Sequence, residues 1–220
     1  MNDDIARMLA EGDPPAAATL EKIAAQLSAS AIAVLPSNGT LWAISFGLFT
    51  GATLSIATVV HLKAIAVLSA GQIVVYDGVL LLFAALFSRA TIERMIPGAK
   101  RVVPSVVLAV SALVVLGMLV TFLFADRSMD NFVSHGIPCL RLGVISALLS
   151  GFLGWRLLRR GCLVSPRETV TLYGFLTGLV GVSVLALHCP ILNSLHVLVW
   201  HLGAMVIAGL AGFFLGSYAD

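Results

Sequence analysis

Six long apolar stretches, near 40–60, 70–88, 102–125, 140–157, 169–188 and 195–217, alternate with short polar or basic connections. A helix needs about 20 apolar residues to cross a hydrocarbon core roughly 30 Å thick, and each stretch is near that length. The first 38 residues follow another pattern. Ile5, Met8 and Leu9 fall on one helical face, and Leu20, Ile23, Ala24 and Leu27 repeat the i, i+3, i+4, i+7 spacing. Asp13–Pro14 between them suits a helix start, with Asp as the cap and Pro at the first helical position. The pattern divides the chain into an arm, residues 1–38, and a six-span region, residues 39–220. The fold class it predicts is all-α: a polytopic six-helix transmembrane bundle with a short amino-terminal arm.

The second stretch is the hardest to bound. A helix through all of it sets Asp77 in mid-bilayer, where an ionised carboxylate is costly. Starting the span close to Tyr76–Asp77 avoids that cost and leaves 63–75 as a partly inserted loop. Pairs of glycines four apart recur at Gly47/Gly51, Gly174/Gly178 and Gly212/Gly216, a spacing that lets helix backbones approach closely, usually within one chain.

Composition removes the soluble alternative. Of 220 residues, 59% are hydrophobic and 11% charged, and the mean hydropathy is +1.03. A soluble domain carries about 25% charged residues, and one core of this size could not hide so much apolar surface. The net charge of +2, with no basic block, excludes direct nucleic-acid binding. Within the arm, Asp3, Asp4, Glu11, Asp13 and Glu21 outnumber Arg7 and Lys22, which is unlike a secretion signal. Helices that lie on a membrane surface are usually basic on their polar face. The acidic arm therefore points to a protein partner for its two apolar faces.

Loop charges give an orientation. Arg89, Arg94, Lys100 and Arg101 lie between spans two and three, and Arg156, Arg159, Arg160 and Arg167 between spans four and five. The other side holds Lys63, Arg127 and Arg141. The positive-inside rule then puts the basic loops, the arm and the tail ending at Asp220 in the cytoplasm. Cys139, at the start of span four, and Cys189, at the end of span five, fall on the outer face with His61, His135, His188 and His196, and with His201 slightly deeper. Cys162 falls inside.

Three readings compete for that outer cluster: a disulfide tying two outer loops, capture of a thiophilic ion, or a reversible thiol switch. The ion's ligands would be Cys139, Cys189 and one or two imidazoles from His135, His188 and His196. His201, beside Trp200 in an apolar span, reads as a neutral hydrogen-bonded packing residue. Trp200 suits the aromatic belt of a membrane interface. No buried chain of ionisable groups marks a transport path. Nor is there a CxxC, an HExxH or a glycine-rich phosphate loop. The reading is of a non-enzyme without a resident cofactor.

Cys139–Leu140–Arg141 opening a span, the basic Arg159–Arg160, His188–Cys189–Pro190 and Trp200–His201–Leu202–Gly203 together resemble the NrsF-like family of bacterial integral membrane anti-sigma factors. Ile96–Pro97–Gly98 fits the family's turn after span two. The resemblance is greatest over 137–217 and only positional in the arm. It implies a six-span inner-membrane protein whose cytoplasmic amino-terminal region holds an extracytoplasmic-function sigma factor inactive. It also implies that Cys139 and Cys189 are the pair that senses metal or oxidative stress, and that Cys162 is dispensable. On that basis Ile5, Met8, Leu9, Leu20, Ile23 and Leu27 are the expected partner-binding residues. The expected partners are the sigma factor and the lipid bilayer. His188 joins the two cysteines as the expected ligand set of a transient thiophilic metal. The competing reading is a small transporter or permease subunit with a His/Cys ligand cluster on its outer face.

Overall fold

Ser69 and Gln72 set where the second helix begins. The Ser69 hydroxyl accepts from the Gln72 backbone N–H, and the Gln72 side-chain oxygen accepts from the Ser69 N–H at 3.0 Å. This reciprocal capping satisfies two of the donors left free at a helix start. The helix therefore runs from Ala70, and the expected loop over 63–75 is replaced by a short 3₁₀ turn, Ala64–Ala66, followed by helix. Gln72 Nε2 also donates to the Leu123 carbonyl at 3.0 Å, fixing this end against the next helix. Asp77 consequently sits two turns inside, half-buried, where the sequence reading had placed it at the edge.

The computed structural model describes residues 21, 38–95, 103–128, 130–158 and 165–218. Its two compact units are Met1–Ser37 and Asn38–Asp220. Ile5, Met8, Leu9, Leu20, Ile23, Leu27 and Cys162 lie outside the described residues. Among those described, the fold is all-helical, with no strand beyond one isolated bridge. Six long helices make up the second unit: α1 Asn38–Val60, α2 Ala70–Glu93, α3 Ser105–Leu123, α4 Phe132–Leu158, α5 Pro166–His188 and α6 Ser194–Ser217. Helices α2 to α6 are long and apolar enough to cross a membrane, and α1 carries a shorter apolar stretch, Ser45–Val59. Outward faces carry Val59, Val74, Val106, Phe122, Phe152 and Leu215, all exposed.

Helix α4 begins at Phe132, eight residues before the expected start. Asn131 takes a left-handed φ of 54°, a conformation Asn tolerates, and its carbonyl accepts the His135 N–H at 3.0 Å. Pro138 is carried inside the helix and does not mark its boundary. Cys139 therefore lies about two turns within α4 rather than at its start.

Helix α5 is the hub. Of its most apolar stretch 78% is buried, against 28–39% for α2, α3, α4 and α6. It packs against all five other helices, and most closely against α6. That closeness comes from glycine. The Gly174 and Gly212 positions face each other, and a Cβ on Gly178 would stand 2.6 Å from the Met205 Cα. A Cβ on Gly212 would overlap the Val170 carbonyl, and one on Gly181 would overlap the Gly143 carbonyl of α4. Two of the three small-residue pairs thus serve packing within the chain. A Cβ on Gly47 or Gly51 would meet nothing.

The contrast gives a prediction. Gly212→Leu forces α5 and α6 apart and is expected to cost about 1–3 kcal/mol or more, the usual cost of overpacking. Gly47→Leu is expected to stay within about 0.5 kcal/mol. Thermal unfolding of the two detergent-solubilised variants checks both, and equal melting points would contradict the packing account.

At the end holding the α2–α3 connection, Arg94 is 2% exposed. Its Nε donates to Glu168 Oε2 at 2.9 Å and to Ser105 Oγ at 3.0 Å, and Nη2 donates to the Val103 carbonyl at 2.8 Å. One of the basic residues read as a loop charge is thus a pin joining α2, α3 and α5.

Candidate functional site

The opposite end of the bundle is closed by two connections that hydrogen-bond to each other. Asp126, after α3, offers its carbonyl to the Ser194 backbone N–H at 2.9 Å and to the Ser194 hydroxyl at 3.0 Å. Asn193 Nδ2 donates to the Ser128 carbonyl at 2.6 Å, while its Oδ1 caps α6 by accepting the His196 N–H at 3.0 Å. These bonds join the same two loops that a disulfide could have tied. Nothing in the sequence reading singled out Asn193, although an Asn three residues before a helical His is a cap signal.

This clasp holds the start of α6 over the thiols. Cys139 of α4 and Cys189, just beyond α5, bring their Sγ atoms to 3.6 Å as free cysteines. Cys189 Sγ lies 3.6 Å from His196 Nε2. Ligand atoms from Cys139, Cys189, His196 and His201 all lie within 4.8 Å of one another, and the last three residues are buried. The two imidazole rings meet edge to face with centroids 5.5 Å apart.

A local irregularity brings the two imidazoles together. Residues five apart on an α-helix point about 140° away from each other. From Val197 to His201, however, the chain forms a π turn, and the Leu202 N–H reaches back to the Val197 carbonyl. The wider turn restores His196 and His201 to one face. Such single π turns are rare and concentrate at functional sites. Trp200, in the same turn, lies against Phe132 with ring centroids 5.3 Å apart and covers Gly136, where any Cβ would overlap the indole. The tryptophan expected at the interface is therefore also a packing contact onto α4.

The expected ligands are not all in this group. His188 Nδ1 instead donates to the His61 carbonyl at 2.9 Å, so it belongs to the α1–α2 corner. His135 is exposed and lines a small depression of about 50 Å³ with Asp126, Asp130 and His196. His201, read as a satisfied packing residue, is buried with neither ring nitrogen hydrogen-bonded among the described residues.

Electrostatics favour a reactive sulfur at the corner. The hydrogen bond from Cys139, with the adjacent imidazoles of His196 and His201, holds the Cys189 thiol below the usual range, against the opposing effect of burial. A thiol so placed has the thiolate character that metal binding and nucleophilic attack require. At the mouth, the Ser128 backbone N–H and further hydrogen bonds keep the exposed Asp126 carboxyl below its ordinary value, leaving an anion beside the depression.

Fold and site together define an all-helical bundle with spans compatible with a membrane and a buried thiol–imidazole cluster at one end. The chain belongs to the NrsF family, described as negative regulator of sigma F, whose family model matches residues 27–219. No curated protein and no solved structure matches it.

Proposed function

We propose that this chain is an anti-sigma factor of the bacterial inner membrane. In this reading, residues 1–38 hold an extracytoplasmic-function sigma factor at the cytoplasmic face, and both chain ends lie there. Chemistry at Cys139 and Cys189, on the outer side, releases it. The observation that carries the reading is the family match over 27–219, which makes the chain a negative regulator of a sigma factor. Five long apolar helices support the membrane setting. The eight basic residues of the 2–3 and 4–5 connections support the orientation. The protein acts as a regulator, without catalysis of its own.

The 3.6 Å approach of the two sulfurs supports their use as one sensing unit. They can coordinate a thiophilic metal together. Alternatively, they can lose two protons and pass two electrons to an oxidant, closing a disulfide of about 2.05 Å. Disulfide closure draws α4 toward the α5–α6 corner, whereas a shared ion keeps the sulfurs near their present 3.6 Å spacing and ties α4 to that corner through Cys139. A shift of those helices reaches the partner only insofar as the two bundle packings differ in affinity for it.

Co-purification from solubilised membranes tests the reading. The intact chain is expected to bring down a sigma factor, and a chain lacking residues 1–38 is expected to bring down none. Recovery by neither would sink the proposal and bring forward the transporter reading of the outer His/Cys face.

A further inference from the structure

We infer that Cys139, Cys189, His196 and His201 form one tetrahedral site for a thiophilic divalent ion of the zinc group. The inference deepens the sensing role proposed for the cysteine pair by naming the ligand class and two further ligands.

Geometry carries it first. A tetrahedral ion with bonds of about 2.3 Å to sulfur and 2.0–2.1 Å to nitrogen separates its sulfurs by about 3.8 Å, and sulfur from nitrogen by about 3.5 Å. The Sγ–Sγ distance is 3.6 Å, and Cys189 Sγ to His196 Nε2 is 3.6 Å. The full set of four donor atoms spans no more than 4.8 Å. Closing it to a tetrahedron needs movements of about 1 Å, within side-chain reach.

A second and independent observation is His201. It is 2% exposed, neither of its ring nitrogens is hydrogen-bonded among the described residues, and it supplies one of the four converging donor atoms. Buried polar groups are normally satisfied, so an imidazole facing two thiols, with no hydrogen bond of good geometry among the described residues, fits the role of a metal ligand. A disulfide between Cys139 and Cys189 would leave His201 in the same state. A metal ion would not. The π turn at Val197–His201 is the backbone feature that aims both imidazoles inward.

Two sulfurs and two imidazoles select a soft or borderline ion over magnesium or calcium, which take oxygen ligands. Binding displaces the protons that the two sulfurs still carry, which leave to solvent, while both imidazoles bind as neutral donors. The depression bearing Asp126, Asp130, His135 and His196 gives a cation an anionic approach, since His196 belongs to both the depression and the cluster.

The test uses the full chain, reduced and in detergent micelles, titrated with Cd²⁺ alone. Binding at one equivalent is expected, with thiolate-to-metal charge-transfer absorption. X-ray absorption is expected to read two sulfur and two imidazole scatterers. His196→Gln and His201→Gln are each expected to weaken binding by at least about tenfold, Cys139→Ser or Cys189→Ser to weaken the charge-transfer band, and the double Cys→Ser variant to remove it. A reduced parent that binds no Cd²⁺ would overturn the inference. So would parent coordination by two sulfurs without imidazole, with both His variants binding like the parent. That second result would leave the cysteine pair standing as the sensor, so the two failures are distinguishable. Should a His variant fail to fold, the scatterer count on the parent still decides.

Discussion

Cells carrying Cys139→Ala or Cys189→Ala are expected to show no transcriptional response to cadmium or to a thiol oxidant, whereas Cys162→Ala cells respond like the parent. The expectation follows from placement. Cys139 and Cys189 share one site, while Cys162 belongs to the basic 4–5 connection, which the loop charges assign to the cytoplasmic side. Binding linkages of this kind amount to about 1–3 kcal/mol, or roughly 5–150-fold in affinity. An induction of that size should therefore collapse to background in either outer-cysteine variant. A sigma-dependent reporter measures it directly. Equal damage from Cys162→Ala would contradict the outer-pair mechanism.

Deleting residues 1–38 should have the opposite effect. If the arm is the only part that holds the sigma factor, its loss frees the factor without any stress. Reporter output should then rise to at least the fully induced level of the parent and become indifferent to cadmium. Replacing only the two apolar faces, with Ile5, Met8, Leu9, Leu20, Ile23 and Leu27 changed to Ser, should act in the same direction. These substitutions remove roughly 1.5–3 kcal/mol of burial for each large side chain that the partner covers fully. A reporter unchanged by the deletion would show that the arm does not hold the factor.

Hydropathy alone located all six helices, because a span of about 20 apolar residues leaves a long, coarse signal. Its edges were another matter. The start of α2 was misjudged because the cost of burying Asp77 was weighed, while the Ser69–Gln72 capping pair that closes the helix at Ala70 was not. The start of α4 was misjudged because apolar density rises only after Pro138, although Asn131 turns the chain into helix at Phe132. Charge misled at Arg94. It was counted only as a loop charge, but acceptors on α3, on α5 and in the connection at Val103 hold its guanidinium inside the bundle.

The site was legible in part for a similar reason. Topology alone brought Cys139 and Cys189 to one end. His188 drew attention because it adjoins Cys189, but neighbours in sequence at a helix end point in different directions, and its ring is committed to the His61 carbonyl. His201 was set aside as a packing residue because it stands beside Trp200 in an apolar span, and α-helical spacing would in any case turn it away from His196. Only the π turn reverses that, and no propensity or motif in Val197–His201 announces it.

The most direct test of the account is release in a sealed system. Inside-out vesicles carrying the intact chain with its sigma factor bound to the outward-turned cytoplasmic face would be given Cd²⁺ in the lumen. The sigma factor appearing in the supernatant is then followed over time. The account predicts release that is lost in Cys139→Ala vesicles and unchanged in Cys162→Ala vesicles. A sigma factor that stays bound in the parent, or leaves equally from all three, would contradict it.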